Sequence, residues 1–210
     1  MSVFGVWLGG GQPSPLAEQC MDTWPEDAKL WCGRAQLSSV IPDVSSIPYF
    51  KSAYDAGHWA GASDVARLML LWELGGTYLD VDVQVLKPEL LAELEVQALR
   101  DGRLIVGRED EKFMCNAVMI APPKHPVIGA LLERYKRTRF EDTFEGSTTG
   151  ATMLTDAVNQ GEKGATTQVM PPWTFYPWHW RDKESRNGSG QIDERAITAH
   201  HWEGSWVTKK

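Results

Sequence analysis

The segment 73-ELGGTYLDVDVQVLKPE-89 is the most informative stretch of this 210-residue sequence. Apolar and polar residues alternate through it as they do in a β-strand, yet two aspartates stand close together in its middle. Because successive side chains of a strand point to opposite faces, a strand over residues 77–86 would separate the segment into two sets. One face carries Leu79, Val81, Val83 and Val85, and the other carries Tyr78, Asp80, Asp82 and Gln84.

Asp80 and Asp82 therefore present like charges on one predicted face, with Cα atoms about 6.6 Å apart at about 3.3 Å per residue. Aspartate is uncommon in strands, and neighbouring carboxylates repel each other unless water or a cation screens them. Hard oxygen ligands suit Mg²⁺ or Mn²⁺, and such ions keep open positions that substrate phosphates fill. The pattern indicates a metal and phosphate site at a strand end. An edge strand with its polar face in water would also explain a bare D-x-D.

Length and charge limit the class of protein. The 210 residues suit one domain, 1–210, with an ordinary hydrophobic core. The net charge of −7 and the lack of a Lys/Arg run argue against a nucleic-acid partner. The N-terminus shows no signal-peptide pattern, and no stretch approaches the roughly 20 apolar residues that span a bilayer. We therefore expect a cytoplasmic protein with no transmembrane segment, in which the three scattered cysteines are reduced.

Periodicity along the rest of the chain predicts alternating strands and helices. An apolar stripe at helical spacing indicates a helix that begins at a Ser63 N-cap and ends at Gly75. Two aromatic segments, 168–180 and 196–206, are more strand-like. The other predicted strands are 3–8, 29–33, 77–86, 103–107 and 116–121, and the other predicted helices are 89–100, 125–137 and 151–160. This alternation predicts an α/β fold with a largely parallel or mixed sheet.

The stretch from the first of these helices to Pro88 resembles the signature of the DXD-containing sugar-binding glycosyltransferases. That family includes capsular-polysaccharide glycosyltransferases and the initiating α-1,6-mannosyltransferases, with the glucosylating toxins as more distant relatives. Its pattern is an S-D-x-x-R helix, then G-G-x-Y-x-D-x-D, then a proline a few residues on. The matching residues here are Ser63, Asp64, Arg67, Gly75, Gly76, Tyr78, Asp80, Asp82 and Pro88.

Other segments are similar to the same family, so that the resemblance covers most of the chain in patches. The opening "VWLGGGQPSP" matches an apolar strand followed by a Gly/Pro turn, and "NAVMIAPPKHP" matches a strand that carries an Asn before a later H-P. The end "HHWEGSW" is similar to an H-x-W-x-x-S-W segment. The chain departs from the family where a T-G-P turn appears as "TTGATML", without the proline.

The resemblance implies a single GT-A-type (Rossmann-like) nucleotide-sugar-binding domain with a mixed central sheet. It implies a metal-dependent retaining hexosyltransferase that moves a sugar from a UDP- or GDP-sugar to a saccharide or lipid-linked acceptor. The expected setting is surface polysaccharide synthesis, in the cytoplasm or peripherally at the inner face of the membrane. The expected cofactor is Mn²⁺ or Mg²⁺, because a divalent cation stabilises the charge that builds on the leaving diphosphate.

By the same resemblance, the catalytic set consists of Asp64, Arg67, Asp80 and Asp82. Asp82 is the expected metal ligand, and Asp80 contacts the ribose or reaches the metal through water. Asp64 and Arg67, three positions apart on a helix, would reach the sugar hydroxyls and the phosphates. The alternative for this pair is a surface ion pair, which contributes little. Tyr78 shares the aspartate face and either contacts the nucleotide or has a structural role.

The C-terminal "HHWEGSW" is expected to add a further metal ligand and a lid. The family pattern favours His200, with His201 next, because a neutral imidazole coordinates metals well. Neighbours on a strand point in opposite directions, so we expect only one of the two histidines in the site. Ser205 and Trp206 would close over the phosphate and the sugar.

Two further substrate contacts are expected. Trp7 ends the first strand, where an open α/β sheet places its ligand, and it either stacks on the base or packs in the core. Asn116 would contact a sugar hydroxyl. No residue stands out as a catalytic nucleophile. The resemblance does not require one, because in retaining transferases of this type the leaving phosphate itself can take the acceptor's proton.

Other functions remain open at the level of sequence. They are a toxin-like or phage-type protein glycosyltransferase, a non-catalytic nucleotide-sugar-binding module, and a metal-dependent hydrolase or phosphatase, which needs an activated water and a further acid or base. The role of the aromatic segment 173–180 is also open. Strand alternation would make both of its faces aromatic, which suits either the core or a platform for the acceptor.

Overall fold

The computed structural model of the protein describes residues 1–141, 149–161, 166–179, 181 and 192–204. A six-stranded sheet lies at the centre, and apolar clusters pack on both of its faces. The predicted α/β fold with a mixed sheet is therefore confirmed.

The helices and strands alternate along most of the chain. The strands are β1 (Val3–Trp7), β2 (Lys29–Cys32), β3 (Gly76–Leu79), β4 (Val83–Val85), β5 (Leu104–Arg108), β6 (Met114–Ala121), β7 (Thr167–Met170) and β8 (Thr198–His200). The helices are α1 (Pro15–Met21), α2 (Gly33–Leu37), α3 (Pro48–Asp55), α4 (Trp59–Leu74), α5 (Pro88–Asp101), α6 (Pro126–Arg137), α7 (Gly150–Asn159) and α8 (Pro172–Phe175).

One strand gives the central sheet its mixed character. The order of its strands is β2-β1-β3-β6-β5-β7. β1 pairs in parallel with β2 and β3, and β5 pairs in parallel with β7, whereas β6 runs antiparallel to both of its neighbours, β3 and β5. The start of β6 therefore reaches the same edge of the sheet as the ends of β1 and β3. Open α/β sheets bind their ligands at this edge.

Alternation along the strands divides the core into two apolar clusters. On one face of the sheet, Phe4 and Val6 of β1 pack with α3, α4, α6 and α7. On the other face, Val3 belongs to a cluster that includes β4 and, through Leu91 and Ala98, α5. A separate two-stranded sheet, β4 with β8, lies beside this second cluster. The apolar character of both faces explains why helices are needed on each side.

The three cysteines are free, and Cys20 and Cys115 are buried, as expected for reduced thiols. Within the described residues, no helix combines the length and the apolar character needed to cross a bilayer.

Helix α4 begins before the predicted N-cap, Ser63. The cap is His58, whose Nδ1 atom accepts a hydrogen bond from the backbone N–H of Gly61 at 3.0 Å. Ser63 therefore lies inside the helix, and the predicted start is wrong because a histidine took the role that sequence rules assign to serine. The predicted end at Gly75 is confirmed. Its φ of 64° suits glycine, and a Cβ there would lie 2.5 Å from Pro123.

The predicted strand over residues 77–86 is wrong in its middle. β3 ends at Leu79 and β4 begins at Val83. Between them the chain turns, and the backbone N–H of Val83 donates to the carbonyl of Asp80 at 2.9 Å. Asp80 and Asp82 thus lie in a turn rather than on one face of a single strand. As a result, each carboxylate meets different partners.

The aromatic segment is helical where a strand was predicted. Pro172 takes the first position of the short helix α8, a position that suits its fixed φ and missing N–H. Tyr176 and Trp178, which follow the helix, are buried. The strand alternation predicted over residues 173–180 is therefore wrong for the described part, and Trp180 lies outside it. The later aromatic segment contains β8, as expected.

A buried carboxylate ties α5 to the start of the sheet. Glu95 is 4% exposed, and its oxygens accept hydrogen bonds from the backbone N–H of Ser2 at 2.7 Å and from the hydroxyl of Thr77 at 2.6 Å. Ser2 precedes β1 and Thr77 lies in β3, so one side chain joins a helix to two strands. The contact stabilises the fold because buried donors are costly to leave unpaired.

We expect Glu95→Ala to lower the free energy of unfolding by about 1–3 kcal/mol, because the buried hydroxyl of Thr77 loses its acceptor. Chemical denaturation followed by circular dichroism measures this loss. Glu93→Ala is the control, since Glu93 is exposed on the same helix and its removal should change stability by less than about 0.5 kcal/mol. Equal effects of the two substitutions would contradict the structural role of Glu95.

Candidate active site

Most of the predicted site residues meet at one edge of the sheet. Asp80 follows β3, Asn116 lies near the start of β6, and Asp64 and Arg67 lie around the middle of α4. Because α4 leads directly into β3 and runs back along the sheet, this part of α4 lies beside the end of β3. The four side chains, which come from three separate segments of the chain, form one network of contacts.

The guanidinium of Arg67 is the centre of this network. Arg67 is 5% exposed. Its Nη1 donates to the backbone carbonyl of Asn116 at 2.7 Å and lies 3.1 Å from Oδ1 of Asp80. Its Nη2 lies 3.2 Å from Oδ1 of Asp64, and its Nε donates to the carbonyl of Ser63 at 3.2 Å. The alternative of a surface ion pair is therefore wrong, because Arg67 is buried and contacts four groups.

Tyr78 and Asn116 complete the contacts of the two carboxylates. The hydroxyl of Tyr78 donates to Oδ1 of Asp80 at 2.6 Å, and the centre of its ring lies 4.8 Å from Cζ of Arg67. The side-chain amide of Asn116 donates to Oδ1 of Asp64 at 2.8 Å. In both aspartates, two donors hold the same oxygen, Oδ1. Holding one oxygen sets the direction of the other, Oδ2.

Burial and neighbouring charges shift the pKa values of this network. Burial raises the pKa of Asp64, and this effect outweighs the opposing influence of Arg67 and of the hydrogen bond from Asn116. Burial by itself lowers the pKa of Arg67. Asp80, Tyr78 and Asp64 together raise this pKa by more than burial lowers it, so the guanidinium stays charged. Burial also raises the pKa of Tyr78, which therefore keeps the proton that it donates. The network holds a permanent positive charge between two carboxyl groups.

Asp82 lies on the other side of the turn, in contact with the C-terminal segment. Its Oδ1 lies 3.1 Å from Nε2 of His200, and its Oδ2 accepts a hydrogen bond from the backbone N–H of Glu203 at 2.9 Å. The backbone N–H of His201 donates to the carbonyl of Asp82 at 3.0 Å. Antiparallel pairing of β4 with β8, in which Val83 faces His200, brings these distant segments together.

Asp82 and His200 form a buried ion pair. Burial raises the pKa of Asp82, but the charge of His200, with hydrogen bonds from His200 and Glu203, lowers it to about 2. Burial lowers the pKa of His200, and Asp82 raises it well above its usual value. His201 faces a different way, with Nε2 3.1 Å from Oε1 of Gln84, and burial lowers its pKa. Of the two histidines, His200 is therefore the one beside the aspartates.

The donor set at the turn fits a divalent cation. Asp80, Asp82 and His200 each offer one ligand atom, and these atoms lie within 4.8 Å of one another. Carboxylate and imidazole donors suit Mn²⁺ and related ions. His200 must lose its proton to coordinate, because only neutral imidazole binds metals. The three residues thus offer the chemistry that a Mn²⁺ or Mg²⁺ site requires.

Trp202 and Trp178 hold the C-terminal segment over this pair. The ring centres of Trp202 and His200 are 4.0 Å apart, and Nε1 of Trp202 donates to the carbonyl of Trp178 at 3.1 Å. Nε1 of Trp178 donates in turn to the carbonyl of His200 at 2.8 Å. Trp202 has a φ of 51°, which is rare for a bulky residue and often marks a functional segment. The sequence signals for this cluster are the H-x-W-x-x-S-W resemblance, which contains Trp202, and the density of aromatic residues near Trp178.

The remaining predicted contacts fall in different places. Trp7 ends β1 and is partly exposed, with Nε1 donating to the carbonyl of Gly11 at 3.2 Å, so its ring lies at the ligand edge of the sheet. Ser205 and Trp206 lie outside the described residues. Trp178 is 7% exposed, so the acceptor-platform hypothesis is wrong for this residue.

Comparison with known proteins agrees with this geometry. Residues 16–99 match the family described as "Glycosyltransferase sugar-binding region containing DXD motif". The chain is 28% identical over 157 residues to "Glucan organizing enzyme 1" of Cryptococcus neoformans var. grubii, a match that covers 72% of this chain and 35% of that protein. It is 29% identical over 134 residues to "Lactosylceramide 4-alpha-galactosyltransferase" of Pongo pygmaeus, covering 57% of this chain and 54% of that protein.

A solved structure has the same fold. "PaToxG Glycosyltransferase" superposes with a TM-score of 0.52 at 16% identity, over 76% of this chain and 67% of that chain. Over residues 16–99 the chain is similar to the DXD-containing glycosyltransferases, as its sequence motif predicts, and the predicted GT-A-type fold is confirmed. It spans between 35% and 54% of the length of the two curated relatives that it matches.

We expect Arg67→Ala to lower the free energy of unfolding by about 3 kcal/mol, since removing one partner of a buried ion pair leaves an uncompensated charge. The effect arises because Asp64 and Asp80 would then face each other without a cation between them. Arg100→Ala is the control, because Arg100 pairs with Asp101 at the surface and should contribute little. Urea denaturation compares the two variants. A similar small loss for both would mean that the Arg67 network does not stabilise the fold.

Gly150 offers a second test of how tightly the network is packed. Its φ is +54°, and a Cβ there would lie 2.9 Å from Oδ2 of Asp64. Gly161 is a matched control with a φ of +62°, and among the described residues no atom lies within 4 Å of its added Cβ. Alanine at either position carries a backbone cost of about 1–2 kcal/mol. We expect Gly150→Ala to be the more destabilising in denaturant titrations, because it also displaces Asp64; equal losses would show that Asp64 moves without cost.

Proposed function

We propose that the protein is a metal-dependent retaining glycosyltransferase whose donor is a UDP- or GDP-sugar. The observation that carries the proposal is the meeting of two kinds of site at one turn. One is the Arg67 network with Asp64 and Asp80, and the other is the Asp82–His200 pair. A sugar nucleotide has hydroxyls that need hydrogen-bonding partners and a diphosphate that needs positive charge. The match of residues 16–99 to the DXD-containing glycosyltransferase family supports this function.

Asp80, Asp82 and His200 are the residues that would hold Mn²⁺ or Mg²⁺. When bound, the cation supplies Lewis-acid stabilisation of the charge that builds on the leaving diphosphate. Asp82 is ionised at neutral pH, since its pKa is about 2. Arg67 and the hydroxyl of Tyr78 hold Asp80 in position through its Oδ1 atom. Tyr78 is buried, so we assign it to orienting Asp80 rather than to contacting the nucleotide.

Asp64 and Asn116 are the proposed partners of the sugar hydroxyls. Their mutual hydrogen bond and the contacts with Arg67 hold both groups in one direction, so little ordering remains to be done when the donor binds. Trp7, at the end of β1, is proposed to stack on the base. We assign Ser205 and Trp206 to a lid over the phosphate and the sugar. His201 is the second choice, after His200, as a metal ligand.

Retention of configuration follows in this proposal from attack on the same face that the diphosphate leaves. The bond from the anomeric carbon to the phosphate oxygen breaks, the acceptor oxygen bonds to that carbon, and the acceptor's proton passes to the leaving phosphate. Asp64 and Asp80 are each held by two donors, which suits binding better than nucleophilic attack. One of the relatives is named as a 4-alpha-galactosyltransferase, and this name is consistent with an α-linked product.

The proposed acceptor is a saccharide or a glycolipid. The two sequence relatives are named for a glucan and for lactosylceramide, and both names support a carbohydrate rather than a protein acceptor. We place the activity in surface polysaccharide synthesis, in the cytoplasm or peripherally at the inner face of the membrane, where a lipid-linked acceptor would be available.

A thermal-shift screen of UDP- and GDP-sugars, with and without Mn²⁺, tests the donor. A ligand that binds the folded protein raises its melting temperature. Product analysis with candidate acceptors then distinguishes transfer, which releases nucleoside diphosphate and extends the acceptor, from hydrolysis, which yields free sugar. If no nucleotide sugar shifts the melting temperature in the presence of Mn²⁺, the proposed donor class is wrong.

Metal removal gives the corresponding kinetic prediction. Excess chelator should abolish turnover, and Mn²⁺ or Mg²⁺ should restore it. Asp82→Asn keeps the side-chain shape but loses the ionised ligand, and we expect turnover to fall on the order of 100-fold or more. Asp156→Asn, at an exposed position of α7, is the control and should leave turnover unchanged. Full activity in excess chelator would exclude the metal-dependent mechanism.

A further inference from the structure

The pairing of β5 with β6 is interrupted beside the candidate site. Val106 pairs with Met119, but the next residue of β5, Gly107, pairs with Cys115. Residues 116–118, which we call the β6 bulge, therefore have no partner on β5. Bulges re-aim side chains and are frequent next to active sites.

The β6 bulge supplies three contacts to the site. The carbonyl of Asn116 accepts from Arg67 at 2.7 Å, and its side-chain amide donates to Asp64 at 2.8 Å. The carbonyl of Ala117 accepts from the backbone N–H of Asp80 at 2.9 Å. The shape of this short segment thus sets the position of the Arg67 network relative to the sheet.

A single hydroxyl takes the place of the missing β5 partner. The backbone N–H of Val118 donates to the hydroxyl oxygen of Tyr176 at 3.0 Å, and the hydroxyl of Tyr176 donates to the carbonyl of Cys115 at 3.3 Å. These two backbone groups flank Asn116 and Ala117. Tyr176 is 2% exposed, and buried backbone groups without partners are costly, so the hydroxyl supports a backbone shape that the sheet alone leaves unsatisfied.

Gly107 leaves the space that Tyr176 occupies. A Cβ on Gly107 would lie 2.7 Å from Cε2 of Tyr176 and 2.7 Å from Cδ2 of Phe175. A glycine inside a strand often marks a bulge or a close approach of another group, and both occur here. Tyr176, which bridges the bulge, therefore depends on Gly107, which leaves room for its ring.

We propose that Tyr176 is a positioning residue of the donor site, whose hydroxyl closes the β6 bulge and thereby directs Asn116 at Asp64 and Arg67. The inference rests on the proposed function, because it assigns the aligned Asn116 group to the donor sugar. The ring of Tyr176 has a separate role. Its centre lies 6.1 Å from the ring of His200 and 5.8 Å from that of Trp202, on the side of the site proposed to hold the cation.

Tyr176→Phe separates the two roles, because it removes the hydroxyl and keeps the ring. In steady-state kinetics with the nucleotide sugar found in the donor screen, we expect kcat/KM to fall about 10- to 100-fold, the loss typical when a residue that orients a ligand-binding group is removed. Calorimetric titration with Mn²⁺ alone should give an affinity within about twofold of the parent, because the ring beside His200 is retained. A general structural defect would instead weaken both. Normal donor kinetics in the folded variant would overturn the proposal.

Tyr54→Phe is the matched control. It also removes a tyrosine hydroxyl that accepts a backbone N–H, that of Arg34 at 3.3 Å, but in α3 rather than at the β6 bulge. It should leave both the donor kinetics and the Mn²⁺ affinity unchanged. A loss of donor kinetics equal to that of Tyr176→Phe would overturn the assignment to the bulge.

Nuclear magnetic resonance of ¹⁵N-labelled protein tests the inference without any donor. In Tyr176→Phe we expect the side-chain amide signals of Asn116 to shift and the N–H of Val118 to exchange faster with solvent. Unchanged signals for both would overturn the positioning role, even if no nucleotide sugar is turned over and the proposed function fails. If Tyr176→Phe does not fold, the same signals are measured in Gly107→Ala, because the added methyl group displaces the Tyr176 ring. Shifted Asn116 signals in that variant support the proposal. Unshifted Asn116 signals overturn it.

Discussion

A buried positive charge is the constraint on which the candidate site depends. The guanidinium of Arg67 contacts two carboxylates and two backbone carbonyls, and these groups come from α4, from the turn after β3 and from β6. Burying such a charge is unfavourable unless its partners are in place. The buried charge of Arg67 therefore needs both Asp64 and Asp80. For this reason the S-D-x-x-R helix and the D-x-D turn have to occur together.

The turn between β3 and β4 gives the two aspartates of the D-x-D different chemical surroundings. Asp80 is held by Arg67 and Tyr78, both of which come from the part of the fold that precedes the turn. Asp82 is held by His200 and by the backbone of Glu203, which belong to the C-terminal segment. A straight strand would have placed both carboxylates against the same neighbours. The turn thus joins Asp80 to the Arg67 network and Asp82 to the C-terminal segment, while their carboxylates stay close enough to share one ion with His200.

The sequence predicts those parts of the fold that depend on local periodicity. The apolar stripe of α4 and the helical stop at Gly75 were both visible, as were most strands. The turn at Asp80 was not, because alternation across residues 77–86 continues through it, and only the pairing of β4 with β8 reveals the break. The β6 bulge and the burial of Arg67 depend on contacts with distant segments, and no local pattern encodes them. The motif pointed to Asp64, Arg67, Asp80 and Asp82 as candidates, whereas the contacts they make required the structure.

The pairing of Asp82 with the C-terminal segment has a consequence for how the protein matures. The contacts of Asp82 with His200 and Glu203 join residues 118 and 121 positions apart, whereas the contacts of Arg67 and Asp64 with Asn116 span 49 and 52 positions. Domains begin to fold while their N-terminal parts leave the ribosome, and distant contacts form late. During synthesis, the Arg67 network can assemble on a chain that still lacks β8. A nascent chain would thus build the Arg67 network first and complete the contacts of Asp82 only when β8 has emerged, so chains without β8 would lack the ordered DXD turn of the folded protein.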